Sequence, residues 1–271
     1  MARRRFSLAW LRPPKAVDGV MSLADHLRDL RYRVVVAAIA VVVGSILMAI
    51  WSTQLYEVLL LPYLRAVDLL KQAHPELRPT TVISGVTAPF TLILKVCVVA
   101  GVVVSSPVWL WQLWAFVAPA LRDKEKKYTL AFLGVAVPLF LAGVAVGYYV
   151  LPQGIFVLLS FTPESVPIMN LLDVSQFFNL MLRLMMVFGL GFLMPVVVVG
   201  LNLVGVLSAK RLAKVRTYVI FAIFVFGAVA TPSTDPFSML ALSLPMVVLY
   251  LTAEIIARVH DRRHLKEAVD T

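Results

Sequence analysis

Residues 34–56 read VVVAAIAVVVGSILMAIWSTQLY, from Val34 to Tyr56, with no charged side chain among them. Lipid offers a backbone no hydrogen-bond partner, so a chain crosses it as a helix, and roughly 20 apolar residues cover the hydrocarbon core. This stretch predicts a transmembrane helix. Working outward, the same test marks Pro79 to Leu121, broken only by Lys95, then Tyr128 to Pro163, and Val174 to Ala209, broken only by Arg183. Thr217 to Ala230 and Phe237 to Ala253 complete the set. The expectation is an all-α polytopic membrane protein of six transmembrane helices.

Composition agrees. The chain has 271 residues, 61% of them hydrophobic and 15% charged, with a mean hydropathy of +0.89, which excludes an ordinary soluble globule. Punctuation along the chain refines the spans. A polar, Pro-containing stretch from Lys71 to Pro79 reads as part of an outside loop after the first helix. Pro152 and Gly154 predict that the third helix ends near Pro152, leaving an irregular segment through Asp173. Pro195 predicts a kink or tilt in the overlong fourth span. The fifth and sixth apolar stretches are short; 14 residues before Thr231 give roughly 21 Å of helix against a core of ~30 Å.

Six crossings place both termini on one side, and the basic residues name it. Eight Lys and Arg lie in the amino tail up to Arg33, and four each lie in 122–127, 210–216 and the tail from Arg258. Only Arg65, Lys71 and Arg78 fall in the opposite loops. The positive-inside rule therefore predicts both termini in the cytoplasm. The formal charge of +10 reflects topology rather than nucleic-acid binding, since no basic cluster belongs to a folded domain of its own. The expected organisation is a cytoplasmic basic tail at 1–20, a six-helix membrane domain at 21–257 and a cytoplasmic tail at 258–271. Pro13, Pro14, Lys15 and Asp18 deny the amino tail a signal-peptide core. Cys97, the single cysteine, stands among valines and reads as a buried small hydrophobe. Gly143 and Gly147 form a small-xxx-small pair suited to seating a neighbouring helix.

Several polar groups need a purpose. Directly before the first span stands HLRDLRYR, His26 to Arg33, where His26, Asp29 and Arg33 share one helical face and Asp29 could be a presented anion. Ser22 would cap this helix, with Asp25 in its first turn. Glu125 sits among lysines in the loop after WAFVAPAL (114–121), a second anion on the same membrane face. Two carboxylates there could grip two guanidinium groups through charge-assisted forks. Within the spans, Lys95 could snorkel outward, whereas Arg183 calls for a cavity or an acidic partner such as Asp173 or Asp235. Glu254 lies near the inner end of its span, within reach of solvent. Asp235, in TPSTDP (231–236), reads as a helix cap. His260 and His264 have helical metal-pair spacing but no third ligand, and neither a phosphate loop nor a nucleophile elbow is present, so neither a cofactor nor an enzyme is expected.

HLRDLRYR with Asp29, APF (88–90) with Lys95, SP (106–107), QLWAFVAPAL (112–121) with Glu125, FG (188–189) with Pro195, and TP (231–232) with DPF (235–237) together resemble the TatC family. That family is the receptor subunit of the twin-arginine protein translocase, and the resemblance runs from Met21 to His264. It implies a concave bundle with short fifth and sixth helices in the bacterial plasma membrane. It also implies binding of twin-arginine signal peptides of folded proteins, export driven by the proton motive force, small single-span partner subunits of TatA and TatB type, and homo-oligomers within the complex. The signal-peptide positions it implies are Asp29 and Glu125, with His26, Arg31 and Phe116 beside them; Lys95, Arg183 and Asp235 are intramembrane or translocation-related polar groups. Three departures stand out: the family usually has Glu at the place of Asp29 and an acidic or amide residue at the place of Leu193, and Arg183 is unusual for it. Other classes that fit the spans are a secondary transporter with Lys95, Arg183 and Asp235 around a midplane site, and a membrane scaffold that only gathers partners.

Overall fold

A computed structural model describes residues 23–73, 80–117, 126–159, 171–203, 205, 207–230 and 236–267. The first helix, α1 (Leu23–Ala49), joins the juxtamembrane segment to the first apolar run without a break, with Asp25 in its first turn where the helix dipole favours an anion. It ends at a turn through Ile50 and Trp51, so the first span stops short of Tyr56.

The chain then forms α2 (Ser52–Ala73), with Pro62 inside it, where a loop was expected. Leu59, Tyr63, Ala66 and Val67 are buried on one face of α2, a 3.6-residue spacing that holds the helix onto the bundle. β1 (Thr80–Val82) follows, pairing in parallel with β2 (Leu171–Asp173) in the register Thr80↔Leu171. These two three-residue strands join the starts of two spans at one end of the bundle. β2 also replaces the last part of the irregular segment expected through Asp173.

The second long apolar stretch is two helices, α3 (Ala88–Val104) and α4 (Ser106–Val117), meeting at a 57° bend. Pro107 cannot donate to the preceding turn, and Trp109 donates its indole N–H to the Val102 carbonyl at 2.9 Å across the bend. α5 (Lys126–Leu159) continues without a break past Pro138 and Pro152, so the third helix does not end near Pro152. A proline removes a single N–H, and with Leu151 in the core packing keeps the following turns helical.

α6 (Val174–Phe192) and α7 (Met194–Leu203) divide the fourth stretch at Leu193, two residues before Pro195, a break in the helix where the proline predicts a kink or tilt. α6 lies along α5 at very short range: a Cβ at Gly143 would stand 2.4 Å from the Phe188 carbonyl oxygen, and one at Gly147 2.8 Å from the Met185 Cα. The glycine pair therefore seats an intramolecular neighbour.

α8 (Ala209–Ala230) and α9 (Pro236–Glu267) have 22 and 32 residues. Their apolar stretches are short, but the helices are not, because α8 takes in the basic run from Lys210 to Arg216 and α9 continues into the polar carboxyl segment. Among the described residues five helices are long and apolar enough to span a membrane, and the bent pair α3–α4 supplies a sixth. The main core centres on Phe177, Phe178, Met181 and Phe188 of α6, packed by α2, α3, α5, α8 and α9.

Candidate functional site

The amino-terminal segment of α1 is brought against α4. The His26 imidazole stacks on the Phe116 ring, with centroids 4.5 Å apart and planes at 19°. One turn along, Asp29 is buried, 2% exposed, and accepts a hydrogen bond from Arg33 Nε at 2.7 Å. The Asp29–Arg33 pair follows from i, i+4 spacing, whereas the His26–Phe116 stack depends on α4 packing against α1; positions 26, 29 and 33 share one face of the helix. The structure corrects one point: Asp29 is not a freely presented anion but a buried one that already holds a guanidinium. Arg31, two residues on from Asp29 and so on another face, is exposed. Glu125 lies outside the described residues, immediately before Lys126 opens α5. Ser22 and Asp235 also lie outside them.

Sequence reasoning missed Trp114. It is 4% exposed, stacks on Phe132 of α5 with centroids 3.9 Å apart, and lies so close to α7 that a Cβ at Gly200 would be 2.6 Å from its ring. Its position two residues before Phe116 makes it the buttress for the α4 end of the site. The aromatic density of WLWQLWAF (109–116) was the available signal.

The intramembrane groups fall into separate places. Lys95 donates from Nζ to Asn179 Oδ1 of α6 at 2.7 Å, a partner 84 residues away that no local pattern indicates. Arg183 is exposed. The expected partner, Asp173, is engaged elsewhere: it is the N-cap of α6, accepting from the Ser175 and Gln176 backbone N–H groups. Asp173 is about 15 Å of helix away from Arg183. The Ser84 hydroxyl, followed by those backbone donors, holds the Asp173 carboxyl below its usual range. Leu193, at the place of a polar family position, is 6% exposed and packs with Leu110, Ala136, Phe140, Val144 and Val196, an apolar setting with no use for an amide.

Glu254 does not reach solvent as expected. It is 2% exposed and is held bidentately by Arg216 of α8 at 2.9 and 2.7 Å, with Arg258 one turn along as a second cation. Nearby, Asp261 accepts from the Ala209 N–H and from Asn202 Nδ2, tying α9 to the start of α8 and to α7.

The family model described as Sec-independent protein translocase protein (TatC) matches residues 25–245. The chain belongs to the TatC family. It is 38% identical over 261 residues to the TatC of Frankia casuarinae, covering 95% of this chain and 71% of that protein. It is 33% identical to the TatC of Koribacter versatilis, with 94% and 92% covered. It is 30% identical to the TatC of Aquifex aeolicus, with 90% and 97% covered. A crystal structure of the twin-arginine translocase receptor TatC in DDM superposes with a TM-score of 0.72 at 30% identity, covering 86% of this chain and 99% of that one. A second crystal structure of that receptor gives 0.70 at 28%. This TatC protein is thus a membrane-embedded, non-enzymatic component of the Tat protein translocase, and the solute-transporter alternative falls away.

Proposed function

We propose that this protein is the receptor and core subunit of its translocase, taking the twin-arginine motif of a signal peptide between the carboxylates of Asp29 and Glu125. The observation that carries the reading is the Asp29–Arg33 pair. A carboxylate buried at the membrane-proximal end of α1 and bonded at 2.7 Å to a guanidinium has the chemistry and setting to exchange its own arginine for an incoming one. Charge-assisted bonds of this kind contribute about 1.5–3 kcal/mol each, and lysine lacks the planar fork. His26 stacked on Phe116 braces α1 against α4 beside the carboxylate, and Arg31 lies on the far, exposed side of the helix.

Both termini then face the cytoplasm of a bacterial plasma membrane, as the distribution of basic residues requires. Single-span subunits of TatA and TatB type and further copies of this chain complete the complex, and the proton motive force drives transport of the folded cargo. Site-specific crosslinking from a twin-arginine precursor tests the site. Asp29→Lys combined with Glu125→Lys abolishes crosslinks to α1 and α4 if the reading is right; undiminished crosslinks overturn it.

A further inference from the structure

Lys95 and Arg183 share one exposed surface. Asn179, which accepts from Lys95 Nζ at 2.7 Å, precedes Arg183 by one helical turn, so the two cations stand about a turn apart on the exposed side where α3 packs on α6. Among the described residues neither cation is bonded to a carboxylate, and Arg183 has no hydrogen-bond partner among them. Neither α3 nor α6 contains an acidic residue. An amide oxygen satisfies one of the three Lys95 donors but neutralises no charge.

Depth and direction narrow the counter-ion. Lys95 is about 11 Å and Arg183 about 14 Å along its helix from the sheet end. Helical side chains lean toward their own N-terminus, which for both helices is that same end. Both charges therefore snorkel toward one membrane surface. Thr91 and Gln176 are exposed toward the sheet end, Phe90 and Leu94 are exposed beside Lys95, and Val98 and Leu190 are exposed deeper in. Two cations set in an otherwise largely apolar, lipid-facing surface match an anionic headgroup with its acyl chains.

We infer that the α3–α6 face binds the phosphodiester headgroup of an anionic phospholipid of the sheet-end leaflet through Lys95, Arg183 and Asn179, with an acyl chain along Val98 and Leu190. A carboxylate on a partner helix is the less favoured occupant, since it would carry its own desolvation into the hydrocarbon whereas a headgroup starts at the interface.

The full-length protein is reconstituted in phosphatidylcholine vesicles containing a minor fraction of spin-labelled phosphatidylglycerol, and the motionally restricted fraction is compared with that of spin-labelled phosphatidylcholine. Selectivity for phosphatidylglycerol is expected, falling roughly fivefold for each charge removed in Lys95→Gln and Arg183→Gln. The charge-keeping pair Lys95→Arg with Arg183→Lys retains it, which separates loss of charge from loss of fold. Unchanged selectivity in the neutral double variant overturns the inference. So does a variant that keeps lipid selectivity but loses a co-purifying single-span subunit, which would assign the face to a partner carboxylate.

Discussion

Two glycines of α5, Gly134 and Gly143, give opposite answers to the same substitution. At Gly134 an added Cβ meets nothing within 4 Å, whereas at Gly143 it would stand 2.4 Å from the Phe188 carbonyl oxygen and 2.8 Å from the Gly189 Cα. Alanine in place of glycine within a helix gains about 0.5–1 kcal/mol from reduced backbone freedom at either site. At Gly143 the two backbones must separate by about 1 Å to reach ordinary contact, and overpacking of this sort costs about 1–3 kcal/mol. Gly134→Ala should therefore raise the unfolding midpoint slightly, while Gly143→Ala lowers it, by about 2–4 °C per kcal/mol. The chain carries its own probe. Cys97, the only cysteine, is 5% exposed, so a thiol-reactive fluorophore reports unfolding as the detergent-solubilised protein is heated. Equal shifts in the two variants would refute the close α5–α6 seat.

Replacing Glu254 with Gln breaks the bidentate bond to Arg216 and should cost about 1.5–3 kcal/mol on the same thermal assay. Arg216→Gln combined with Arg258→Gln should be worse, since it strands the buried carboxylate rather than two half-exposed cations. Asp173→Ala removes the cap of α6 and should cost about 0.5–2 kcal/mol. Because the folded Asp173 carboxyl lies below its usual range, that stabilisation is present at neutral pH and is lost as pH falls through the lowered folded value. The variant and the parent should converge in acid; a constant difference across pH would contradict the cap. Arg33→Gln leaves Asp29 buried without its guanidinium, so a twin-arginine peptide should bind about tenfold more tightly by titration. Weaker binding would mean that Arg33 itself holds the peptide.

The spans were legible because lipid imposes a simple demand, long charge-free runs, and the five candidate spans plus the bent pair answer it. The seat at Gly143 and Gly147 and the break before Pro195 were legible for similar local reasons. α2 was hidden by its polar residues, although Leu59, Tyr63, Ala66 and Val67 carried a helical period that the count of charges overlooked. Pro152 misled because the rule for proline in water-exposed helices is weaker where tertiary packing and lipid hold the helix on both sides of it. At the site, the shared face of His26, Asp29 and Arg33 followed from spacing, but the burial of Asp29 depends on α4 lying against α1. The pairing of Lys95 with Asn179 and of Glu254 with Arg216 joins residues 84 and 38 positions apart, and only the fold brings them together.

The most direct measurement is the affinity of the purified protein for a signal peptide bearing two arginines against the same peptide bearing two lysines. The account predicts that the parent prefers arginine by about tenfold or more, and that Asp29→Asn with Glu125→Gln removes the preference. A variant that still discriminates as the parent does would place recognition elsewhere on the molecule.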